Sequence, residues 1–307
     1  MPLASPGLPV SVVICTRDRP HLLADALRSV LACAYQAREI IVVDQSSDAR
    51  TDRLVADLRG CAPDLLYCPA PPRGLAAARN IGAAQASGDV VAFTDDDCLV
   101  DRGWLQALAD EFRAVPELAA VCGRALPLVE SRLVADGASV RTDTRWRMFR
   151  KPCSPWQIGN GCNMAFTRGA LRQVGPFDER LGPGTPCRGA EEADLLYRLL
   201  KLDLPVVYSP RPLVYHRQWR GPAQQLALAY DYGVGVGAFA TKHLQSGDAR
   251  AARTLGGWAA AYLWAIGRGM VSGDPGRVRA AANMLRGLGV GIWRMSSSHQ
   301  RSKPRHE

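Results

Sequence analysis

The sequence predicts an α/β protein with a mostly parallel central sheet and a C-terminal helical extension. Two observations lead to this. Short apolar, β-branched runs alternate with helix-length segments over the first 125 residues, which is the pattern of βαβ units. Beyond Arg220 the strand signals stop and the chain reads as helical, with breaks at Gly247 and at Gly273 to Gly276.

Taken in order, residues 10–15 (Val-Ser-Val-Val-Ile-Cys) suit a strand covered on both faces. Asp18 and Pro20 then signal a helix over 20–32, Asp18 accepting from orphan amides of the first turn and Pro20 fitting an early helical position. A buried strand at 39–43 follows, then a helix at 51–59, a strand at 65–67, a helix at 75–86 and a strand at 90–94. A helix at 104–115 is closed by Pro116, with a strand near 120–123. Residues 126–160 read as a mobile, Pro-containing connection. Order returns with 163–167, a short helix to Val174, a Gly- and Pro-rich loop through Gly189, a helix at 190–201 and two short strands at 206–208 and 213–215. Ligands of parallel sheets bind beyond the carboxyl ends of the strands, so Thr16, Asp44 and Asp95 to Asp97 are expected along one rim.

A chain of 307 residues with 47% hydrophobic composition can bury one large core, or a core plus an appendage. Its net charge of +9 is concentrated late, because residues 219–307 hold twelve Lys and Arg against four Asp and Glu, a local balance of +8. That surplus suits either a solvated helical face or attraction to an anionic membrane surface. Neither zinc-finger spacing nor a basic stripe with interleaved aromatics is present, so no nucleic acid partner is expected. Nine cysteines without a Cys-x-x-Cys pair suggest neither a disulfide framework nor a zinc ribbon, and fit a reducing cytoplasm. No basic segment leads an apolar core at the N-terminus, which argues against a signal peptide. The apolar stretch between Arg253 and Arg268 is shorter than the roughly 20 residues that span a bilayer.

Asp95, Asp96 and Asp97 follow directly on an apolar strand, where three carboxylates repel one another unless a cation or strong donors intervene. One reading is a hard divalent ion, Mn2+ or Mg2+, shared with substrate phosphates; the other is an acidic loop with no metal. Four segments sharpen the choice: Val-Ser-Val-Val-Ile-Cys-Thr-Arg-Asp-Arg at 10–19, Ile-Val-Val-Asp-Gln-Ser-Ser-Asp at 41–48, Arg-Gly-Leu-Ala-Ala-Ala-Arg-Asn-Ile-Gly at 73–82 and Ala-Phe-Thr-Asp-Asp-Asp-Cys at 92–98. In this order and spacing they resemble the family 2 glycosyltransferases of the GT-A fold over about residues 9–217.

The resemblance implies a GT-A type nucleotide-binding sandwich, with residues 1–125 as its nucleotide-sugar-binding half and 126–218 as its acceptor-binding half. A basic helical extension at 219–295 and a disordered tail at 296–307 complete the expected organisation. Asp44 would accept from the imino group of the base, with Thr16 and Arg17 beside the nucleoside. Arg79 would face phosphate. Asp95 would contact ribose or metal, Asp97 would ligate the metal, and Asp96 is open to either role. Many relatives carry a second Asp where this chain has Gln45, so the base stays open, with UDP as default and dTDP or GDP as alternatives.

Residues 189–198, Gly-Ala-Glu-Glu-Ala-Asp-Leu-Leu-Tyr-Arg, resemble the family's Glu-Asp-x-Asp segment, with Glu192 where Asp is usual. The implied role is general base toward the acceptor hydroxyl, held by Glu192 or Glu191, while acids at a helix start also favour the helix dipole. His216 stands where some relatives place a metal or diphosphate contact, and Trp156, Asn160 and Asp194 fall at the acceptor side. The expected activity is an inverting, metal-assisted single displacement from a nucleotide-diphosphate sugar to a hydroxyl of a glycan, lipid-linked sugar or small molecule. The alternatives are a nucleotidyltransferase, disfavoured because Thr16 to Pro20 offers no glycine, and a non-catalytic sugar-nucleotide binder. Trp258, Tyr262, Leu263, Trp264 and Ile266 among late arginines suit either helices on a membrane surface or a cap on the catalytic domain, so the expected location is cytoplasmic or peripheral on the inner membrane face.

Overall fold

The structure, a computed structural model, describes residues 7–60, 64–128, 140–217 and 220–301. The chain divides into two compact units, one formed by Met1–Phe177 with Glu192–Trp219 and the other by Asp178–Glu191 with Arg220–Glu307.

The first unit holds the sheet. Its strands are β1 (Val10–Thr16), β2 (Glu39–Asp44), β3 (Leu65–Pro69), β4 (Val90–Asp95), β5 (Cys98–Val100), β6 (Ala120–Pro127), β7 (Arg147–Phe149), β8 (Asn163–Thr167) and β9 (Val206–His216). They are ordered β3-β2-β1-β4-β8-β6-β9-β5, with β7 also paired to β9. The strands from β3 to β4 are all parallel, as the βαβ alternation predicts. Beyond them the sheet is mixed, because β8 runs antiparallel to both β4 and β6 while β6 and β9 are parallel.

Alternation along the strands sends side chains to two apolar layers. Val10, Val12, Ile14, Ile40 and Val42 pack with Leu23 and Leu27 of α1 (Pro20–Leu31) and with Trp104 and Leu108 of α4 (Trp104–Ala114). Val13, Ile41, Val43, Val91 and Phe93 pack with Ala76 and Ala78 of α3 (Leu75–Gln85) and with Leu195, Leu196 and Leu199 of α6 (Glu191–Lys201). Each fully buried Val, Leu or Ile contributes about 1.5–3 kcal/mol, which explains why β1 carries no exposed position. The remaining helices of this unit are α2 (Arg50–Arg59) and α5 (Arg168–Val174).

Four local expectations need correction. Asp18 does not cap α1: Arg19 holds the N-cap position without a side-chain hydrogen bond, and the Asp18 Oδ1 accepts from Ser47 N and Oγ at 2.9 and 3.0 Å. The connection at 126–160 is partly structured, since β6 runs to Pro127, β7 pairs with β9 and Pro155–Gln157 forms a 3-10 turn; its residues 129–139 lie outside the described residues. The two late strands are one, β9. Its ladder with β6 jumps from Cys122 opposite Tyr208 to Arg124 opposite Leu213, so Pro210 and Pro212 sit in a bulge where no ladder donor is needed. The segment read as a tail from Ser296 begins helical, for the last helix runs to Arg301; residues 302–307 lie outside the described residues.

The second unit contains α7 (Pro222–Gln245), α8 (Arg250–Val271), α9 (Pro275–Arg301) and the loop over 178–190. Gly247 and Gly273, at φ +82° and +64°, supply the left-handed turns that end α7 and α8. Helices α7 and α9 meet backbone to backbone. A Cβ at Gly233 or Gly237 would run into the carbonyl oxygens of Met284 or Leu288, and one at Gly287 or Gly291 into those of Tyr230 or Val234. No helix among the described residues is long and apolar enough to cross a membrane.

Candidate active site

The parallel ladders bring the expected rim together. Thr16 pairs with Asp44 and Cys15 with Asp95, so the ends of β1, β2 and β4 stand side by side. Asp96 and Asp97 form the turn between β4 and the short β5, which sequence reasoning missed because three residues are too few to show alternation. Strand β5 pairs antiparallel with β9 and sets Cys98 opposite His216.

Each aspartate of the triplet has a separate environment. Asp96 is almost fully buried and accepts from the Thr16 hydroxyl at 2.7 Å. Its other oxygen lies 2.9 Å from Arg19 Nη2, close enough for an ion pair, yet it receives no well-aimed hydrogen bond. Burial pushes the Asp96 carboxyl up to about 7, with the Arg19 guanidinium opposing and the Asp97 charge adding to the rise. Asp95 is held by Arg79, whose Nη2 donates to Asp95 Oδ1 at 3.1 Å and to Gly161 O at 3.2 Å. Asp97 faces Arg19 Nη1 at 3.6 Å and His216 Nε2 at 3.5 Å, and its carbonyl accepts from Arg217 N.

The residues fit a divalent cation. Asp97, Cys98 and His216 offer ligand-type atoms that all lie within 4.8 Å of one another. A 3.5 Å separation between Asp97 Oδ1 and His216 Nε2 suits two neighbouring ligands about 2.1 Å from one ion. Cys98 is the poor member. A hydrogen bond with Cys162, then burial, hold its thiol well above the usual range, and sulfur is a soft ligand where hard ions such as Mg2+ and Mn2+ prefer oxygen. The carboxylate of Asp96, buried with its second oxygen lacking a hydrogen bond, is the kind of group that a nearby cation would relieve.

Arg17, expected beside the nucleoside, is exposed and among the described residues pairs with its neighbour Asp18, at 3.6 Å, whereas Arg19, given no role by the sequence, reaches the triplet. The positive φ of Asp18, +56°, turns the chain between them. Arg79, expected to face phosphate, has a side chain 3% exposed that pairs with Asp95. The Ala-rich α3 lies so close to the sheet that a Cβ at Gly82 would collide with Val13, and Gly161 leaves room for the guanidinium. On the nucleoside side, Asp44 accepts from Ser46 N at 2.9 Å and from the Tyr67 hydroxyl at 2.8 Å, while Gln45 donates to Pro71 O and ties this turn to the segment before α3.

Glu192, the second residue of α6, is half-buried, with nothing hydrogen-bonded to its carboxylate among the described residues. Its charge acts on the buried Cys122 thiol of β6, which burial above all pushes up to about 12. Glu191 belongs to the second unit and is buried beside Gly182, where a Cβ would meet its Oε2 at 2.9 Å. Asp194, expected at the acceptor side, is fully buried and held to Arg198 at 2.8 Å, and Arg198 also donates to Val174 O and Pro176 O. Trp156 is half-buried, its carbonyl accepting from Arg141. The Asn160 amide nitrogen is buried without a hydrogen-bond partner among the described residues.

Comparisons with known proteins agree with this geometry. The family model described as Glycosyl transferase family 2 matches residues 11–175. A glucosyl-dolichyl phosphate glucuronosyltransferase of Haloferax volcanii is 28% identical over 218 residues, 68% of this chain and 69% of that protein. A pre-mycofactocin glycosyltransferase of Mycobacterium tuberculosis is 30% identical over 239 residues, 76% of this chain but only 48% of that protein, so the chain spans about half of its length. Among solved structures, the mannosyltransferase PcManGT from Pyrobaculum calidifontis, in complex with GDP-Man and Mn2+, superposes with a TM-score of 0.64 at 20% identity, covering 93% of this chain and 87% of that one. GalNAc-T7 with UDP, GalNAc and Mn2+ follows at 0.55 and 18%, covering 76% and 48%.

Proposed function

The chain belongs to glycosyl transferase family 2, with the GT-A fold, and from that membership we propose that it moves a sugar from a nucleoside diphosphate to a hydroxyl acceptor by inverting single displacement. The observation that carries the proposal is the Asp96–Asp97 turn at the strand ends, facing His216 across the β5–β9 ladder. Asp97 and His216, with Asp95 at the end of β4, would hold Mn2+ or Mg2+, which when bound supplies positive charge for the departing diphosphate. The Mn2+ and nucleotide in the two solved neighbours support this assignment.

The protein's own groups do the rest. Thr16 and Arg19 fix Asp96, and Arg79 fixes Asp95, so the carboxylates are oriented before any ligand arrives. Asp44 keeps lone pairs for the imino group of a base after its two internal hydrogen bonds. Glu192, half-buried and unengaged, takes the proton of the acceptor hydroxyl as that oxygen attacks; the buried Glu191 is the weaker candidate. Trp156 and Asn160 border the acceptor. Family membership does not favour a nucleotidyltransferase or a non-catalytic binder.

In the second unit, Leu263, Trp264, Met270 and Trp293 are exposed on helices that carry Arg250, Arg253, Arg268, Arg277 and Arg279. This combination supports docking to an anionic membrane surface, and the reading proposed is a peripheral protein on the cytoplasmic face of a membrane. The test of the catalytic reading is direct: Asp97→Ala abolishes nucleotide release from a panel of sugar donors, and the wild type loses release in chelator and regains it with manganese. Full, chelator-insensitive activity in Asp97→Ala overturns the reading.

A further inference from the structure

The loop over 178–190 leads directly into Glu191 and Glu192, and its last turn is bent against the preference of its residues. Arg188 and Ala190, on either side of Gly189, both adopt left-handed backbone, at φ +57° and +71°. A side chain makes that conformation costly, so it persists only where surrounding contacts leave the backbone no alternative. Elsewhere in the loop the left-handed positions, 182 and 184, are glycines and carry no such cost.

Those contacts come from the second unit, to which the loop belongs. One turn of α7 seats Gly189. A Cβ at Gly235 would stand 2.7 Å from the Gly189 carbonyl carbon, and one at Gly189 would stand 3.7 Å from the Asp231 carbonyl oxygen. Asp231 Oδ1 accepts from Arg188 Nη1 at 2.7 Å, and the Arg188 guanidinium lies 5.7 Å from the centre of the Tyr230 ring. The start of the loop is pinned by Lys242, whose Nζ lies 2.8 Å from Asp178 Oδ2, and its middle by Arg294 of α9, which donates to Pro186 O. Within the loop, Gly182 N donates to Gly189 O at 3.1 Å. The backbone that enters α6 is therefore located by α7, through a glycine contact too tight for a methyl group and an ion pair to the residue beside it.

We propose that Asp231 and Gly235 of α7 are positioning residues for the general base: they hold the left-handed turn at 188–190, which fixes where α6 begins and so where Glu192 presents its carboxylate. This deepens the glycosyl-transfer reading and rests on it. Misplacing a reacting group by about 1 Å can cost about 100-fold in rate, so slight slack in this turn is measurable.

Steady-state nucleotide release, measured on the full chain with Mn2+ and the sugar donor it consumes fastest, tests the proposal together with hydrogen–deuterium exchange over residues 186–191. Asp231→Asn should raise exchange in this turn and lower kcat about tenfold, with donor KM and nucleotide affinity unchanged. Asp231→Glu keeps the charge and should recover most of the rate. Gly235→Ala drives a methyl group against Gly189 and should lower kcat about 100-fold. Asp274→Ala removes the cap that accepts from Arg277 N at the start of α9 and touches no loop residue among those described, so it should lower Tm without moving kcat. Wild-type kcat in Asp231→Asn overturns the proposal, whether or not the turn loosens. So does an equal loss of kcat in Asp274→Ala, which would make the effect one of stability alone, or a rise in donor KM, which would assign these residues to the donor. Those failures leave the glycosyl-transfer reading standing, whereas a wild type that releases no nucleotide from any donor overturns that reading and the proposal with it.

Discussion

Arg19 is the countercharge for two buried aspartates, and its removal should reveal whether a metal shares that task. Its guanidinium lies 2.9 Å from Asp96 and 3.6 Å from Asp97, whose side chains are 1% and 6% exposed. Breaking a fully buried pair costs about 3–5 kcal/mol, but the Arg19 side chain is 34% exposed and water recovers part of the loss, so about 1–2 kcal/mol is expected here. For a unit of this size that lowers Tm by about 2–8 °C. The measurement is thermal unfolding of Arg19→Gln against wild type, once in chelator and once in saturating manganese. The deficit should be full in chelator and shrink by more than half in manganese, because a bound cation supplies the missing positive charge. An equal deficit in both conditions, or none in chelator, would show that the aspartates do not depend on a shared cation.

Three further outcomes follow from other parts of the chain. Glu192→Gln should lower turnover by about 100-fold or more while leaving donor affinity intact, as measured by steady-state kinetics and nucleotide titration; unchanged turnover would move the base to Glu191. Gly237→Val drives a side chain into the Leu288 carbonyl and should destabilise the second unit by about 1–3 kcal/mol, whereas Gly256→Ala, where a Cβ meets nothing within 4 Å, should be neutral or stabilising by up to about 1 kcal/mol in chemical denaturation. In flotation assays the protein should bind anionic vesicles at low ionic strength and be released by salt, and a protein that never floats with them removes the membrane reading.

The donor half of the fold was legible because its signals are local. Strands β1, β2 and β4 are continuous apolar runs buried on nearly every residue, and β1 and β2 are each followed directly by a helix. The acceptor half was less legible because its pairings are remote. Strand β7 is three half-buried residues whose strand character comes from pairing with Val206 to Tyr208, and β9 hides its continuity behind two prolines that the bulge accommodates. No window of sequence contains that information.

The same division explains which site residues could be named in advance. Asp95 to Asp97, Asp44 and Thr16 sit at strand ends, so chain order alone places them on the rim. The arginines follow a different rule. A long, forked side chain reaches a partner several residues from its own Cα, so the backbone turn decides its target: the left-handed Asp18 sends Arg19 rather than Arg17 to the triplet. Close packing of α3 likewise sets the Arg79 guanidinium against Asp95. Carboxylates are therefore positioned by topology and guanidinium groups by packing, which is why the strand-end aspartates could be placed from the sequence while their cationic partner Arg19 emerged only with the fold.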